Sequence, residues 1–169
     1  MDYREYFESR WRRKFELVMD KDQILNRLPY SAPFLFVDTL LTINENEVEG
    51  TYTFKEELPF YRGHFKNRPV TPGVILTECC AQIGLVCLGI YLMADDLPLE
   101  EETFQIAMSS SEMSFFKAVF PNEEVRVRSE KIYFRFSKLK CKVTMYNSKN
   151  EVICRGVLSG MLKARKNEN

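Results

Sequence analysis

Histidine is almost missing from this chain: among 169 residues there is one, His64. A single imidazole beside five cysteines (Cys79, Cys80, Cys87, Cys141, Cys154) with no C-x-x-C spacing excludes a Cys/His zinc cluster. The odd, scattered thiols read as free and buried in a reducing compartment. Net charge is missing too. The 24 basic and 24 acidic residues cancel, and the pI near 6.6 excludes a dedicated nucleic-acid binder. The N-terminal stretch MDYREYFESRWRRKF has no apolar h-region, so no signal peptide is expected and the expected compartment is the cytoplasm. Internal repeats, low-complexity tracts and dividing linkers are likewise absent. The chain is therefore read as one domain, residues 23–169, preceded by a helical extension over residues 1–22. Hydrophobic residues at 45% and aromatics at 13% supply a core for it.

Residues 2–27 favour helix with a break near Asp20, and Tyr3, Tyr6, Phe7, Trp11 and Phe15 form one apolar stripe. Pro29 and Pro33 end that pattern. Residues 34–43 (FLFVDTLLTI) and 48–54 read as two strands of a hairpin, joined at Asn44-Glu45-Asn46. In the second strand Val48, Gly50, Tyr52 and Phe54 share a face. A long helix is expected from Thr71, as N-cap with Pro72 in the first turn, to about Met93. It is long enough to span a bilayer, but Glu78 and Gln82 interrupt one face and Asp95 and Asp96 follow it in place of basic anchors. It is read as a buried helix, not a membrane span. Beyond an acidic loop over residues 95–102 the period becomes two, predicting strands at 104–116, 125–131, 134–147 and 152–162. The expected class is α+β: an antiparallel sheet of about six strands around one long central helix. One sheet does not cover a helix that is apolar nearly all round, and a second subunit is an economical cover.

The stretch YRGHFKNRPVTPGVILTECCAQ, residues 61–82, concentrates the chemistry. Taken singly, His64 fits a structural role as readily as a catalytic one. Glu78 is a carboxyl in an apolar helix, which costs free energy unless it is paired or protonated. A protonated acid, an imidazole base and a helix N-terminus opened by Thr71-Pro72-Gly73 suit loss of water from a β-hydroxy thioester. The base takes the weakly acidic α-proton, the acid protonates the departing hydroxyl, and helix N–H groups hold the carbonyl charge. Gln82, one turn after Glu78, could orient the acid. Fourteen residues of separation do not by themselves bring His64 to Glu78.

Gly63-His64-Phe65, Pro69-Val70, Pro72-Gly73, Glu78 and Ala81-Gln82 together resemble the signature of FabA/FabZ-type 3-hydroxyacyl-[acyl carrier protein] dehydratases, which have the hot-dog fold. Glutamate in place of aspartate, and Leu28-Pro29, Pro33-Phe34-Leu35 and Val37-Asp38 upstream, resemble the FabZ branch. The likeness covers roughly residues 24–162. It implies conversion of 3-hydroxyacyl- to trans-2-enoyl-carrier protein with no cofactor and no metal, in fatty-acid or related acyl-chain synthesis. It also implies His64 as base, Glu78 as acid, and the N–H groups of Gly73 and Phe65 with Gln82 around the carbonyl. The partners it implies are an acyl carrier protein and a second copy of the chain, in a dimer whose sites are shared between subunits, with a hexamer as the larger assembly. Departures lie at the rim: Tyr30 stands in a histidine position, Lys66-Asn67-Arg68 replaces Pro-Gly-His, Thr71 replaces Met, and Cys79-Cys80 replaces Ala-Met.

Basic residues gather at Arg126, Arg128, Lys131, Arg135, Lys138, Lys140 and Lys142, opposed in sequence only by Glu130. Two readings are open, a solvated strand face or a dock for an acidic carrier protein. Lys66 and Arg68 beside the motif are better placed for docking. Two other functions stay open on the residues: a hot-dog thioesterase, and a non-catalytic acyl-binding or scaffold subunit.

Overall fold

The computed structural model describes residues 19–94 and 102–166. The predicted helical extension lies mostly outside them. The part described is α1 (Lys21–Asn26), which straddles the expected boundary at residue 22. Asp20 is its N-cap: the carboxylate accepts from the Gln23 N–H at 2.8 Å and the Gln23 side chain accepts from the Asp20 N–H at 3.0 Å. This reciprocal cap satisfies two donors that the first turn leaves open, and it starts the helix at Lys21. Ile24, fully buried, and Met19 tie this end of the chain to the core.

Six antiparallel strands follow: β1 (Thr39–Ile43), β2 (Glu47–Phe54), β3 (Glu102–Phe115), β4 (Glu123–Arg135), β5 (Lys138–Tyr146) and β6 (Val152–Lys166). They form one sheet in the order β1-β2-β4-β5-β6-β3. Between β2 and β3 runs the central helix, α2 (Gly73–Ala81), a wider π-turn segment (Gln82–Cys87) and α3 (Leu88–Leu92). The alternations read from the sequence match one face of the sheet. Val48, Gly50, Tyr52 and Phe54 are the buried positions of β2, and Leu139, Cys141, Val143 and Met145 are fully buried in β5. That face packs on the helix, where every residue from Cys79 to Ile90 is buried. The stretch Gly73–Leu92 is long and apolar enough to cross a membrane, and 72% of its most apolar part is buried inside the fold.

Two glycines set how closely the helix lies. A Cβ on Gly84 would come within 2.9 Å of Ser129 and Val143, and one on Gly89 within 2.1 Å of Leu162. The buried Ser129 hydroxyl donates to the Gly84 carbonyl at 3.2 Å, within the π-turn segment. The sequence reading did not anticipate that segment.

Three boundaries differ from expectation for identifiable reasons. The strand expected from Phe34 begins at Thr39, because the Phe34 carbonyl and the Phe36 N–H are both taken by the Gln82 side chain. The strand expected over 134–147 is split: Phe134 and Arg135 complete β4, and Phe136-Ser137 is a two-residue turn with φ of 49° and 56°. Such turns favour Asn-Gly, so neither residue announced it. The helix starts one residue later than expected, with Pro72 as N-cap and no side-chain cap. Thr71 instead bonds Tyr61, hydroxyl to hydroxyl at 2.6 Å.

Candidate active site

His64 sits between a 3-10 turn (Pro59–Arg62) and the start of α2. Its N–H donates to the Phe60 carbonyl at 3.0 Å, and its carbonyl accepts from the Val70 N–H at 2.9 Å, so the loop closes on itself around the ring. Ring atom Nδ1 lies 2.8 Å from the Val70 carbonyl oxygen. A carbonyl only accepts, so Nδ1 carries the proton and Nε2 keeps its lone pair. The imidazole is half-buried and stacks on the Phe65 ring at 4.1 Å between centroids. The buried Tyr61–Thr71 bond fastens this loop to the approach to α2, as does the Thr71 N–H, which donates to the Val119 carbonyl at 2.8 Å.

Glu78 lies one turn along α2. Its Oε1 accepts from Gln82 Nε2 at 2.9 Å. Gln82 is fully buried, and its amide is shared three ways: the nitrogen also donates to the Phe34 carbonyl at 3.0 Å, and the oxygen accepts from the Phe36 N–H at 2.8 Å. Gln82 therefore meets Glu78 one turn along the helix, from inside the core. With Oε1 engaged, Oε2 is the oxygen left without a hydrogen-bond partner among the described residues.

The helix end is open. Gly73 begins α2 without a side-chain cap, so its N–H is one of the donors that a helix start leaves unpaired. The Phe115 ring stands over it, 3.3 Å from where a Cβ would be. A side chain on Gly73 would crowd that ring. Phe115 borders the site and was missed, because an aromatic at the end of a regular strand carries no local signal. Phe65 is 59% exposed, and its N–H points to the Arg68 carbonyl at 3.3 Å inside the Phe65–Arg68 turn. Of these two N–H groups, that of Gly73 is the one without a partner among the described residues.

Among the described residues no hydrogen bond, ion pair or ring contact joins His64 to Glu78. The basic residues separate into two groups. Arg126 and Arg128 meet carboxylates on the outer face of the sheet, Glu49 at 2.6 Å and Glu47 at 2.7 Å. Arg126 also lies over the Tyr146 ring, and Glu47 holds the Arg128 guanidinium further into its protonated range. Lys138 is half-buried just after the β4–β5 turn, paired across to Met161. Lys66 and Arg68 are exposed next to His64, with the Arg68 guanidinium 5.5 Å from the centre of the Phe120 ring.

A sheet curled round one central helix, with a histidine loop before the helix and an acid inside it, is the architecture of the hot-dog proteins. The dehydratase heterocomplex ApeI:P of Xenorhabdus doucetiae matches at a TM-score of 0.69 and 11% identity, over 83% of this chain and 90% of that one. A hypothetical thioesterase from Streptococcus pneumoniae, solved with coenzyme A, matches at 0.57 and 12% identity, over 76% and 87%. Identities this low establish the fold alone. Sequence establishes the family: residues 28–157 match the FabA-like domain, and the chain belongs to that family. Among its relatives, the 3-hydroxyacyl-[acyl-carrier-protein] dehydratase FabZ of Caldicellulosiruptor saccharolyticus is 32% identical over 151 residues, 86% of this chain and all of the relative. The same-named protein of Bacillus licheniformis is 33% identical over 146 residues, covering 83% and 94%.

Proposed function

We propose that this protein removes water from 3-hydroxyacyl thioesters carried on acyl carrier protein, giving trans-2-enoyl thioesters in fatty-acid biosynthesis. Membership of the FabA-like family and the FabZ relatives support the reaction. The observation that carries the site is the Nδ1 bond of His64 to the Val70 carbonyl, which leaves Nε2 as a base. Nε2 takes the proton from C2, and the C–H electron pair becomes the C2=C3 double bond. The C3–O bond breaks, and the hydroxyl leaves as water with the proton from Glu78 Oε2. The Gly73 N–H at the open helix end holds the negative charge that gathers on the thioester carbonyl. A proton passed from His64 back to Glu78 restores the enzyme.

The functional unit is a homodimer with shared sites, and two observations support it. Strand β3 is an edge strand with one long side unpaired, and Met108 and Phe115 on its helix-facing side are each nearly half exposed, beside Val74 at 76%. His64 and Glu78 also share no contact within one chain, in keeping with a site whose acid and base come from two. Lys66 and Arg68 are the proposed docking residues for the acidic carrier protein, since Arg126 and Arg128 already answer to carboxylates. The proposed compartment is the cytoplasm, in keeping with five buried free thiols.

The purified protein, given a 3-hydroxyacyl-carrier protein, is expected to yield the enoyl product by mass spectrometry. His64→Ala is expected to lower kcat by at least about a hundredfold. Equal rates for wild type and His64→Ala would remove His64 from the mechanism. Release of free carrier thiol in place of enoyl product would make the protein a thioesterase.

A further inference from the structure

We propose that Tyr30 is a second hydrogen-bond donor at the leaving-group end of the site, holding the substrate's 3-hydroxyl oxygen beside Glu78. The inference rests on the assignment of Glu78 as the acid. Tyr30 lies on the segment that Gln82 fastens to the helix, and the nitrogen that donates to the Phe34 carbonyl is the one that donates to Glu78. One buried amide thus fixes both the acid and the backbone that presents Tyr30. The Tyr30 ring lies 6.3 Å from Phe34, which packs edge-on against the fully buried Phe36 at 5.1 Å. The phenol is therefore held from the core outward by a chain of rings.

The hydroxyl of this half-buried phenol has no acceptor among the described residues. Burial first, and then the proximity of the acidic groups Glu78 and Cys87, push the phenol up to about 12. It remains a donor across the working pH range. A neutral donor without a partner, on the segment that Gln82 ties to Glu78, lacks only an acceptor oxygen. The 3-hydroxyl of the substrate is such an oxygen. As the C3–O bond lengthens, negative charge gathers on it, so a bond from Tyr30 strengthens towards the transition state. Removal of the phenol hydroxyl should then act on kcat more than on KM.

Tyr30→Phe keeps the ring and removes the hydroxyl. The expected result with 3-hydroxyacyl-carrier protein is a fall in kcat of roughly ten- to a hundredfold, with KM within about twofold and the thermal midpoint unchanged. Tyr30→His, which returns an N–H donor, should recover part of the loss. A Tyr30→Phe enzyme within about twofold of wild type in kcat overturns the proposal. So does an equal loss in both variants with a lowered midpoint, which would make Tyr30 a packing residue only. His64→Ala and Glu78→Gln run alongside. If either is as active as wild type, the site assignment fails and the Tyr30 proposal falls with it. If both are inactive and Tyr30→Phe is unaffected, only the Tyr30 proposal fails.

Discussion

At the scale of single residues, Gln82 carries the most consequence for its size. Its amide makes three hydrogen bonds, two to backbone and one to Glu78, from a fully buried position. Gln82→Leu keeps the volume but strands the Phe36 N–H and the Phe34 carbonyl. An unsatisfied buried polar group costs about 1–3 kcal/mol. Thermal or urea unfolding should show a loss of at least that size, with kcat falling more than KM rises because Glu78 loses its orientation. The cysteines make a second residue-scale case. A hydrogen bond with Cys154 and then burial push the Cys80 thiol well up, burial and then neighbouring acidic groups push up Cys79, and burial raises Cys141 to about 11. In the unfolded chain these thiols ionise near pH 8.5. The folded protein therefore binds more protons than the unfolded one above that pH, and stability is complete below it and declines as pH rises through the folded range. Denaturation midpoints measured from pH 7 to 10.5 should fall above about pH 9, and a thiol reagent at pH 8 should leave the native protein unmodified. Both residue classes were partly legible. Glu78 stood out as an acid in an apolar run and Gln82 as its neighbour one turn on. The two backbone groups that Gln82 also serves lie some forty-six residues upstream, and no local pattern joins them.

At the scale of elements, period-two alternation named the strands, and the exceptions lie where the backbone does something that side-chain pattern does not encode. The β4–β5 turn uses two residues at positive φ, Phe136 at 49° and Ser137 at 56°, with the Phe136 ring 91% exposed. L-residues with side chains adopt this region at a cost, and Asn-Gly does so most readily. Replacing Phe136-Ser137 by Asn-Gly should raise stability by about 1 kcal/mol, read as a higher unfolding midpoint with activity unchanged. No change, or a fall, would show that the turn is held by something other than its own backbone preference. The central helix shows the complementary limit. Its length and apolarity were plain in the sequence. The π-turn at Gln82–Cys87 was not, because it accompanies a meeting of Gly84 with Ser129 and Val143 from two distant strands.

At the scale of the whole molecule, the lone histidine and the half-buried acid belong to elements that one chain folds without bringing the two side chains into contact. Subunit mixing tests the shared-site dimer directly. His64→Ala and Glu78→Ala proteins, each inactive alone, should regain activity when refolded together, because half the subunit pairs then contain one intact site. About a quarter of wild-type activity is expected from statistical mixing with one of two sites whole in those pairs. Recovery near zero, with mixed pairs verified by native mass spectrometry, would place both groups of a site in one subunit.

The sequence by itself determined the periodicities, the buried helix and the family signature from Gly63 to Gln82, because these depend on residue types at fixed short spacing. It also marked His64 and Glu78 as the chemical candidates in a chain with a single imidazole. Tertiary structure decided which atoms of those residues are free to react. The Val70 carbonyl assigns the proton to Nδ1 of His64, Gln82 occupies Oε1 of Glu78, Arg68 takes the Phe65 N–H, and the absence of a cap leaves that of Gly73 open. The physical reason is the same in each case: a hydrogen bond needs its two partners within about 3 Å, and only the folded chain fixes which groups come that close.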